Sequence, residues 1–218
     1  MNALKVLIAD DHDIVRKGLR TLIEERPGWE VCGEARSGRE AVEKTVQLGP
    51  DVLVIDVSMP DLNGLEATRQ VRKLSPRTEV LVITQHDSDE MAGEVLDAGA
   101  RGYVLKSDSD RDLAHAVEAL GHHKPFFTAR VTEIFLANRG RGGREADPVE
   151  AVRNRLTMRE REILQLLAEG KTAKEVASIL GIAVKTSDTH RTNIMRKLNV
   201  HSVAELVRYA IRNKVVEP

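Results

Sequence analysis

Residues 52–60 read VLVIDVSMP, a run of four apolar residues that ends at Asp56. A run that is apolar at every position does not alternate as a half-exposed strand would, so it predicts a strand buried on both faces. Residues 4–11, LKVLIADD, contain a similar apolar run after Lys5 and end in two aspartates. Strands of this kind are typical of parallel sheets with helices on both sides.

Short apolar runs alternate with helically spaced segments through the front of the chain. The predicted strands are 4–9, 29–35, 52–55, 80–83 and 102–105. The apolar residues at helical spacing between and after them are Ile14, Leu19, Leu22 and Ile23; Ala41, Val42 and Val46; Leu65, Val71 and Leu74; Met91, Val95 and Leu96; and Leu113, Val117 and Leu120. Because parallel neighbours need a crossover, we predict an α/β fold, a five-stranded, doubly wound (flavodoxin-like) parallel sheet. Helix starts are predicted at Ser37, Asn63 and Ser107, each with an acidic residue three positions on.

The apolar pattern of residues 156–218, which we call the tail, is typical of helices throughout. Its apolar spacing predicts four helices at 157–169, 172–180, 184–198 and 202–213. Three of them open with a Thr/Ser-x-x-Glu capping box, at Thr157, Thr172 and Ser202. We therefore expect an all-α second domain at 156–218, a first domain at 1–121, and a connection at 122–155 with a short helix and a flexible, glycine-rich linker.

The charge distribution and the composition of the chain indicate which kinds of partner and cellular location to expect. Residues 1–137 carry 17 Lys and Arg against 24 Asp and Glu, whereas the remaining residues carry 16 against 10. An acidic front and a basic tail suggest a metal or phosphate site in one domain and a polyanion partner for the other. A single cysteine excludes an internal disulfide, and no apolar run approaches a membrane span. The start, MNALKVLIAD, does not read as a signal peptide, so we expect a cytoplasmic protein without membrane partners.

Polar residues stand at the carboxyl ends of four predicted strands: Asp10 and Asp11, Asp56, Thr84, and Lys106. Ligands of open parallel sheets bind at these ends. Three carboxylates at one edge would repel each other unless a hard cation such as Mg²⁺ bound among them. A lysine and a hydroxyl are the groups that would surround a phosphoryl group on a carboxylate.

These motifs resemble the receiver domain of bacterial response regulators. The matching residues are DD at 10–11, DVSMP at 56–60, Thr84, and GYVLK at 102–106. The resemblance covers residues 1 to about 121. It implies that a sensor histidine kinase phosphorylates Asp56.

The same resemblance assigns roles to the neighbouring residues. Asp11, Asp56 and the Ser58 carbonyl would bind Mg²⁺, with Asp10 acting through water. Thr84 and Tyr103 would form a switch pair, in which Thr84 moves toward the phosphoryl group and Tyr103 turns inward. A phosphoryl oxygen would be held by Lys106.

The tail resembles a LuxR-type helix-turn-helix from Leu156 to Ile211, and the whole chain resembles the NarL/FixJ subfamily. Gly181 marks the turn before a predicted recognition helix. By this resemblance, the groove-facing residues are Lys185, Asp188, Thr189 and Thr192, and Arg191 and the flanking lysines are better suited to backbone contacts. The DNA-binding candidates also include Arg196 and Lys197 of the same helix. Asp188 could accept a bond from a cytosine amino group or only favour the positive end of the helix. Two residues depart from the family pattern: Ala183 replaces a capping Ser or Thr, and Ser187 replaces an inward-facing valine.

The predicted function is a phosphorylation-controlled transcriptional regulator rather than an enzyme. Its expected partners are the kinase, double-stranded DNA and a second copy of the chain, with RNA polymerase as a further candidate. One alternative is a magnesium-dependent phosphohydrolase, which usually needs a second carboxylate two residues after the nucleophile, where Ser58 stands. A LuxR-type sensor of a small molecule is the other alternative, and the acidic strand ends argue against it.

Overall fold

Within the described residues up to Gly121, five strands and five α-helices alternate along the chain. In the computed structural model, which describes residues 3–85, 88–128, 131–133, 156–213 and 215–216, the strands are β1 (Leu4–Ala9), β2 (Trp29–Ala35), β3 (Val52–Asp56), β4 (Glu79–Thr84) and β5 (Gly102–Leu105). The helices are α1 (Asp13–Glu24), α2 (Gly38–Leu48), α3 (Gly64–Leu74), α4 (Asp89–Asp97) and α5 (Ser109–Gly121). All strand pairs are parallel, in the order β2-β1-β3-β4-β5. This confirms the predicted doubly wound sheet.

Two apolar layers cover the sheet. One contains residues of α1 and α5, and the other contains residues of α2, α3 and α4. β3 supplies both layers, because successive side chains point to opposite faces: Leu53 and Ile55 join one cluster and Val52 and Val54 the other. This arrangement explains why β3 is apolar at every position.

Three apolar residues expected on buried helix faces lie on the surface instead. Ile14 is 86% exposed, and Val46 and Leu74 are also exposed. In α1 the inward face carries Arg16, Leu19 and Ile23, spaced by three and four residues. The helix predicted from this spacing is present, but Ile14 lies outside its buried face, which begins with the charged Arg16.

One predicted helix start is also wrong. Ser37 and Asn63 cap α2 and α3 as expected, each accepting a bond from the backbone N–H three residues on. After β5, however, a 3₁₀ turn covers Lys106–Asp108, and α5 begins at Ser109 without a side-chain cap. The tighter turn moves the helix start two residues beyond the expected cap at Ser107.

The segment after α5 returns to the sheet. The Tyr103 N–H donates to the Phe126 carbonyl at 3.1 Å, and the Phe126 N–H donates to the Arg101 carbonyl at 2.9 Å. Phe126 thereby forms a parallel bridge beside the edge strand β5. Residues 131–133 are helical, and the Thr128 hydroxyl accepts from the Val131 N–H at 3.4 Å. The rest of the predicted short helix and the glycine-rich linker lie outside the described residues.

The tail forms a unit of its own, and the chain divides into its two compact units after residue 142. The tail helices are α6 (Met158–Ala168), α7 (Ala173–Leu180), α8 (Val184–Leu198) and α9 (Val203–Arg212). Full capping boxes open α6 and α7 at Thr157 and Thr172. Gly181 takes the left-handed conformation (φ 62°) that ends α7 and turns the chain into α8. None of the helices in the described ranges has both the length and the apolarity to span a bilayer.

Gly64, the first residue of α3, brings that helix against the end of β3. Its N–H donates to the Val57 carbonyl at 2.8 Å, and a Cβ added here would overlap the Asp56 carbonyl oxygen. We expect Gly64→Ala to lower the free energy of unfolding by about 1–3 kcal/mol. Gly18→Ala in α1 is the control, because open space surrounds that position, and it should stabilise by roughly 1 kcal/mol. Urea denaturation measures both, and equal effects would contradict the close approach.

Candidate functional sites

Polar side chains gather at one end of the sheet. Asp10 follows β1, Asp56 closes β3, Thr84 closes β4 and Lys106 follows β5. Asp56 is in register with Ile83, which places Thr84 one residue further along the neighbouring strand. The parallel order of these four strands therefore brings the predicted groups to a common edge.

The lysine lies between two buried carboxylates. Lys106 Nζ is 2.8 Å from Asp10 Oδ2 and 3.0 Å from Asp56 Oδ2. The two carboxyl side chains are only 1% and 4% exposed. Two buried like charges would repel strongly, and the shared ammonium group offsets that repulsion.

This environment changes the ionisation of both partners. Burial raises the pKa of Asp56 to about 6, against the attraction of Lys106 and with a further rise from the nearby Asp10 carboxylate. Burial opposes the charge on Lys106, but hydrogen bonding to Asp10 and the charge of Asp56 raise its pKa above the ordinary value. The pocket therefore holds its lysine charged and raises the pKa of Asp56 while leaving this carboxyl mainly ionised at neutral pH.

A group of potential metal ligands surrounds this pair. Asp10, Asp11, His12 and Asp56 each offer a ligand atom, and these atoms all lie within 4.8 Å of one another. The ring atom His12 Nδ1 lies 2.8 Å from Asp11 Oδ1. The backbone N–H of His12 donates to Asp10 Oδ1 at 2.8 Å. The three carboxylates fit the hard oxygen ligands that Mg²⁺ prefers. Ser58, two residues after Asp56, is partly buried.

The two expected switch residues are both buried. Thr84 is 1% exposed and Tyr103 is 3% exposed. Val82 is in register with Tyr103, one strand apart, and Tyr103 packs in the same apolar cluster as Met91 and Val131. In this structure the tyrosine ring is therefore already inside.

A polar stripe runs along the outer face of α8. Lys185, Thr189, Thr192 and Arg196 are exposed and follow one another at intervals of four, three and four residues, which places them on one side of the helix. The opposite side carries the buried residues of α8, which are Ser187, Ile194 and Leu198.

Several polar groups of α8 already have partners within the tail. The Thr189 and Thr192 hydroxyls donate to the carbonyls four residues back, at 2.9 and 3.0 Å. Arg191 pairs with Asp188 at 3.2 Å. Both threonines are nevertheless exposed.

Lys197 has a different environment from the stripe. Its Nζ lies 2.7 Å from Oε2 of Glu160, a buried residue of α6. The same Glu160 oxygen accepts the Thr157 N–H at 2.8 Å, as part of the capping box. Although burial opposes the charged form, the bonds from Lys197 and Thr157 lower the pKa of Glu160. Lys197 thus ties α8 to the start of α6.

The two departures noted in the sequence weaken α8 locally. Ala183 occupies the N-cap position and provides no side-chain bond. The Ser187 hydroxyl is buried and, within the described residues, has no hydrogen-bond partner. An unpaired buried hydroxyl costs about 1–3 kcal/mol of folding free energy. Ser187 therefore destabilises the packed side of α8.

Comparison with known proteins identifies both units. Residues 6–118 match the response regulator receiver domain, and residues 154–210 match the luxR family of bacterial regulatory proteins. The transcriptional regulatory protein LiaR of Bacillus subtilis is 39% identical over 213 residues, which cover 98% of this chain and 99% of LiaR. The chain belongs to the NarL/FixJ-type response regulators.

Solved response regulators extend the likeness to the fold. RcsB of Salmonella enterica serovar Typhimurium, bound to the promoter rprA with the phosphomimetic BeF₃⁻, is 29% identical with a TM-score of 0.59, over 95% of this chain and 98% of that one. A structure of two RcsB dimers bound to two parallel DNAs is 28% identical with a TM-score of 0.58, over 95% and 98%. This response regulator is accordingly a two-component transcriptional regulator with a LuxR-type helix-turn-helix.

Sequence reasoning missed two residues beside the acidic pocket of this response regulator. His12 contacts both aspartates that follow β1. Arg16 lies buried behind them and donates to the Asp10 carbonyl at 2.7 Å. The sequence does carry a signal for Arg16, because it shares a helical face with Leu19 and Ile23. A charged residue on an apolar face needs a buried partner.

The raised pKa of Asp56 predicts a pH-dependent stability. The ordinary pKa of an aspartate is 3.8, and that of Asp56 in the folded chain is about 6. At pH values between these two, Asp56 binds more protons in the folded chain than in the unfolded chain. The free energy of unfolding therefore falls as the pH rises through this range. Without metal, Asp56→Asn should raise the free energy of unfolding by roughly 2–3 kcal/mol near pH 7.5. The gain should vanish near pH 4.

Urea denaturation in a chelating buffer at both pH values would measure this effect. The exposed Asp51, at the other end of the same strand, accepts the Lys5 N–H at 2.8 Å, a bond that an asparagine oxygen can also accept. Asp51→Asn is therefore the matched control and should show no comparable gain. An Asp56→Asn variant equally stabilised at both pH values would contradict the assignment.

Proposed function

We propose that Asp56 accepts a phosphoryl group from a sensor histidine kinase, and that phosphorylation controls DNA binding by the tail of this response regulator. We assign residues 1–121 to the receiver domain, 122–155 to the connection and 156–218 to the DNA-binding domain. The observation that carries the proposal is the position of Asp56: a buried strand-end carboxylate with Lys106 at 3.0 Å and further carboxylates around it.

The transfer needs a carboxylate nucleophile and positive charge beside it. An Asp56 carboxylate oxygen attacks the phosphorus of a phosphohistidine, a new P–O bond forms, the P–N bond breaks, and the electron pair returns to the imidazole nitrogen. Lys106, already charged beside Asp56, stabilises the negative oxygens of the transferred group. A bound Mg²⁺, held by Asp11, Asp56 and the Ser58 carbonyl with Asp10 through water, would supply further charge neutralisation.

The switch follows from the position of Thr84. It closes the strand next to the one that ends in Asp56, and its hydroxyl can donate to a phosphoryl oxygen. Tyr103 lies on β5, one strand further, and is already buried. In this proposal, phosphorylation stabilises the buried position of the Tyr103 ring, which the chain already adopts before phosphorylation.

DNA recognition is assigned to the outer stripe of α8. Lys185 and Arg196 are exposed cations suited to phosphates, and the exposed residues Thr189 and Thr192 carry methyl groups that suit contact with thymine methyl groups in the major groove. Arg191 is a further proposed phosphate contact, which it makes by exchanging its ion pair with Asp188 for one with a DNA phosphate. Lys197, the other DNA-contact candidate of this helix, is left out of the proposed interface because its ammonium group pairs with the buried Glu160.

Dimerisation is the route by which phosphorylation acts in this proposal. One short recognition helix reads too few bases to select a genomic site, so two tails on one DNA are needed. The related RcsB has been solved as dimers bound to DNA, which supports the same assembly here. A second route is release of a tail masked by the receiver. RNA polymerase is a further proposed partner, and the proposed location is the cytoplasm.

Labelling with acetyl phosphate and Mg²⁺ tests the phosphorylation site. The wild-type chain should gain one phosphoryl group by intact mass, and hydroxylamine should remove it because it is an acyl phosphate. Asp56→Asn should abolish labelling, since the amide is not a nucleophile, whereas Asp51→Asn should label normally. Undiminished labelling of the Asp56 variant would refute the assignment.

Salt-dependent binding tests the DNA interface. Affinity of the phosphorylated chain for a random duplex should fall steeply as salt rises, because Lys and Arg contacts release counterions. Lys185→Ala should reduce the slope of log K against log salt by about 1. The control is Lys197→Ala, which should lower the melting temperature, since Glu160 loses its partner, but leave the slope unchanged. If Lys197→Ala changed the slope and Lys185→Ala did not, the interface would be misassigned.

A further inference from the structure

Arg16 is a buried cation that packs behind the acidic pocket. It is only 3% exposed, on the face of α1 that packs against the sheet. A guanidinium group buried to this degree loses its hydration and must recover that loss from fixed partners. Its position is therefore determined by the groups it bonds.

Three groups bind the Arg16 guanidinium. Nη1 donates to the Asp10 carbonyl at 2.7 Å, Nε lies 3.3 Å from Glu34 Oε2, and Nη2 pairs with Asp13. Burial opposes its charge, but the bonds to Asp13 and Glu34 raise the pKa of Arg16. The two carboxylates hold the guanidinium, and its remaining edge is directed at the backbone after β1.

We propose that Arg16 is a positioning residue for the Mg²⁺ and phosphoryl pocket, acting through the Asp10 carbonyl. This inference rests on the proposed function, because it concerns the same pocket. Arg16 itself contacts neither Asp56 nor Lys106 among the bonds of the described residues. Its effect reaches the pocket through the main chain.

The geometry of the peptide bond explains how one contact orients two carboxylates. The Asp10 carbonyl belongs to the peptide unit that joins Asp10 to Asp11, and that unit is planar. A hydrogen bond to its oxygen restrains the orientation of this plane, and with it the positions of the Cα atoms of Asp10 and Asp11. On the other side, the Asp10 N–H donates to the Ala35 carbonyl at 3.2 Å. Arg16 and β2 thus clamp the backbone of the aspartate pair from both sides.

Arg20 provides a natural comparison one turn further along α1. Its Nε lies 2.7 Å from Glu34 Oε1, and its Nη1 lies 2.7 Å from Glu24 Oε1. The two arginines share Glu34, but of the two only Arg16 bonds the Asp10 carbonyl in the described structure. Replacing Arg20 therefore removes an ion pair to Glu34 while leaving the carbonyl contact in place.

The test is Mg²⁺ binding to the full chain, measured by calorimetry after removal of metal with a chelator. Arg16→Gln should weaken Mg²⁺ binding by tenfold or more, the effect expected when a group that orients metal ligands is lost. Arg20→Gln should change it less than twofold. Arg16→Lys, which keeps a charged donor, should restore part of the affinity. Amide NMR signals of Asp10 and Asp11 should shift in the Arg16 variants but not in Arg20→Gln.

Each outcome bears on a different claim. A folded Arg16→Gln variant with wild-type Mg²⁺ affinity overturns the positioning role. An equal loss of Mg²⁺ affinity in Arg16→Gln and Arg20→Gln also overturns it, because the effect would then come from the shared partner Glu34. If Arg16→Gln does not fold, Arg16→Lys decides: unshifted Asp10 and Asp11 signals with unchanged affinity overturn the inference. A wild-type chain that binds no Mg²⁺ and takes no phosphoryl group would instead refute the proposed function.

Discussion

The ion pair that Lys106 makes with two buried carboxylates is the interaction on which the receiver domain depends. Two neighbouring strands bring acidic residues to one sheet edge, and desolvated like charges in that position oppose folding. Lys106, at 2.8 Å from Asp10 and 3.0 Å from Asp56, compensates part of that repulsion. The pocket nevertheless keeps an excess of negative charge, and a cation or a change in protonation relieves it. The same charge balance therefore bears on the stability of the domain and on the proposed binding of a metal ion and a phosphoryl group.

The sequence predicts the receiver domain well because its local and long-range signals agree. Runs that are apolar at every position require a sheet covered on both faces, and a parallel sheet brings strand ends together, so Asp56 and Lys106 could be assigned to one pocket without coordinates. Arg16 was missed for a physical reason: residue-type patterns treat charge as exposed, and only the three-dimensional structure shows the partners that make its burial tolerable. Ile14 is the converse case, an apolar residue left on the surface beside it.

In the tail, charge alone did not distinguish recognition from packing. Lys185 and Lys197 belong to the same helix and the same residue type, but one faces solvent and the other pairs with buried Glu160. The pairing depends on a contact between residues 37 positions apart, which helical periodicity cannot predict. The residue type alone does not decide whether the Ser187 hydroxyl on the packed side of α8 has a partner, and within the described residues it has none.

The bridge between Phe126 and the β5 edge limits how another molecule can approach this side of the sheet. An edge strand offers free backbone groups onto which a foreign strand can add, and proteins protect such edges by covering them. Here the chain's own backbone occupies the Tyr103 N–H and the Arg101 carbonyl. At this part of the edge, a partner that senses the state of β5 would contact side chains instead of adding a strand. The covering also removes one template for aggregation, next to the tyrosine of the proposed switch.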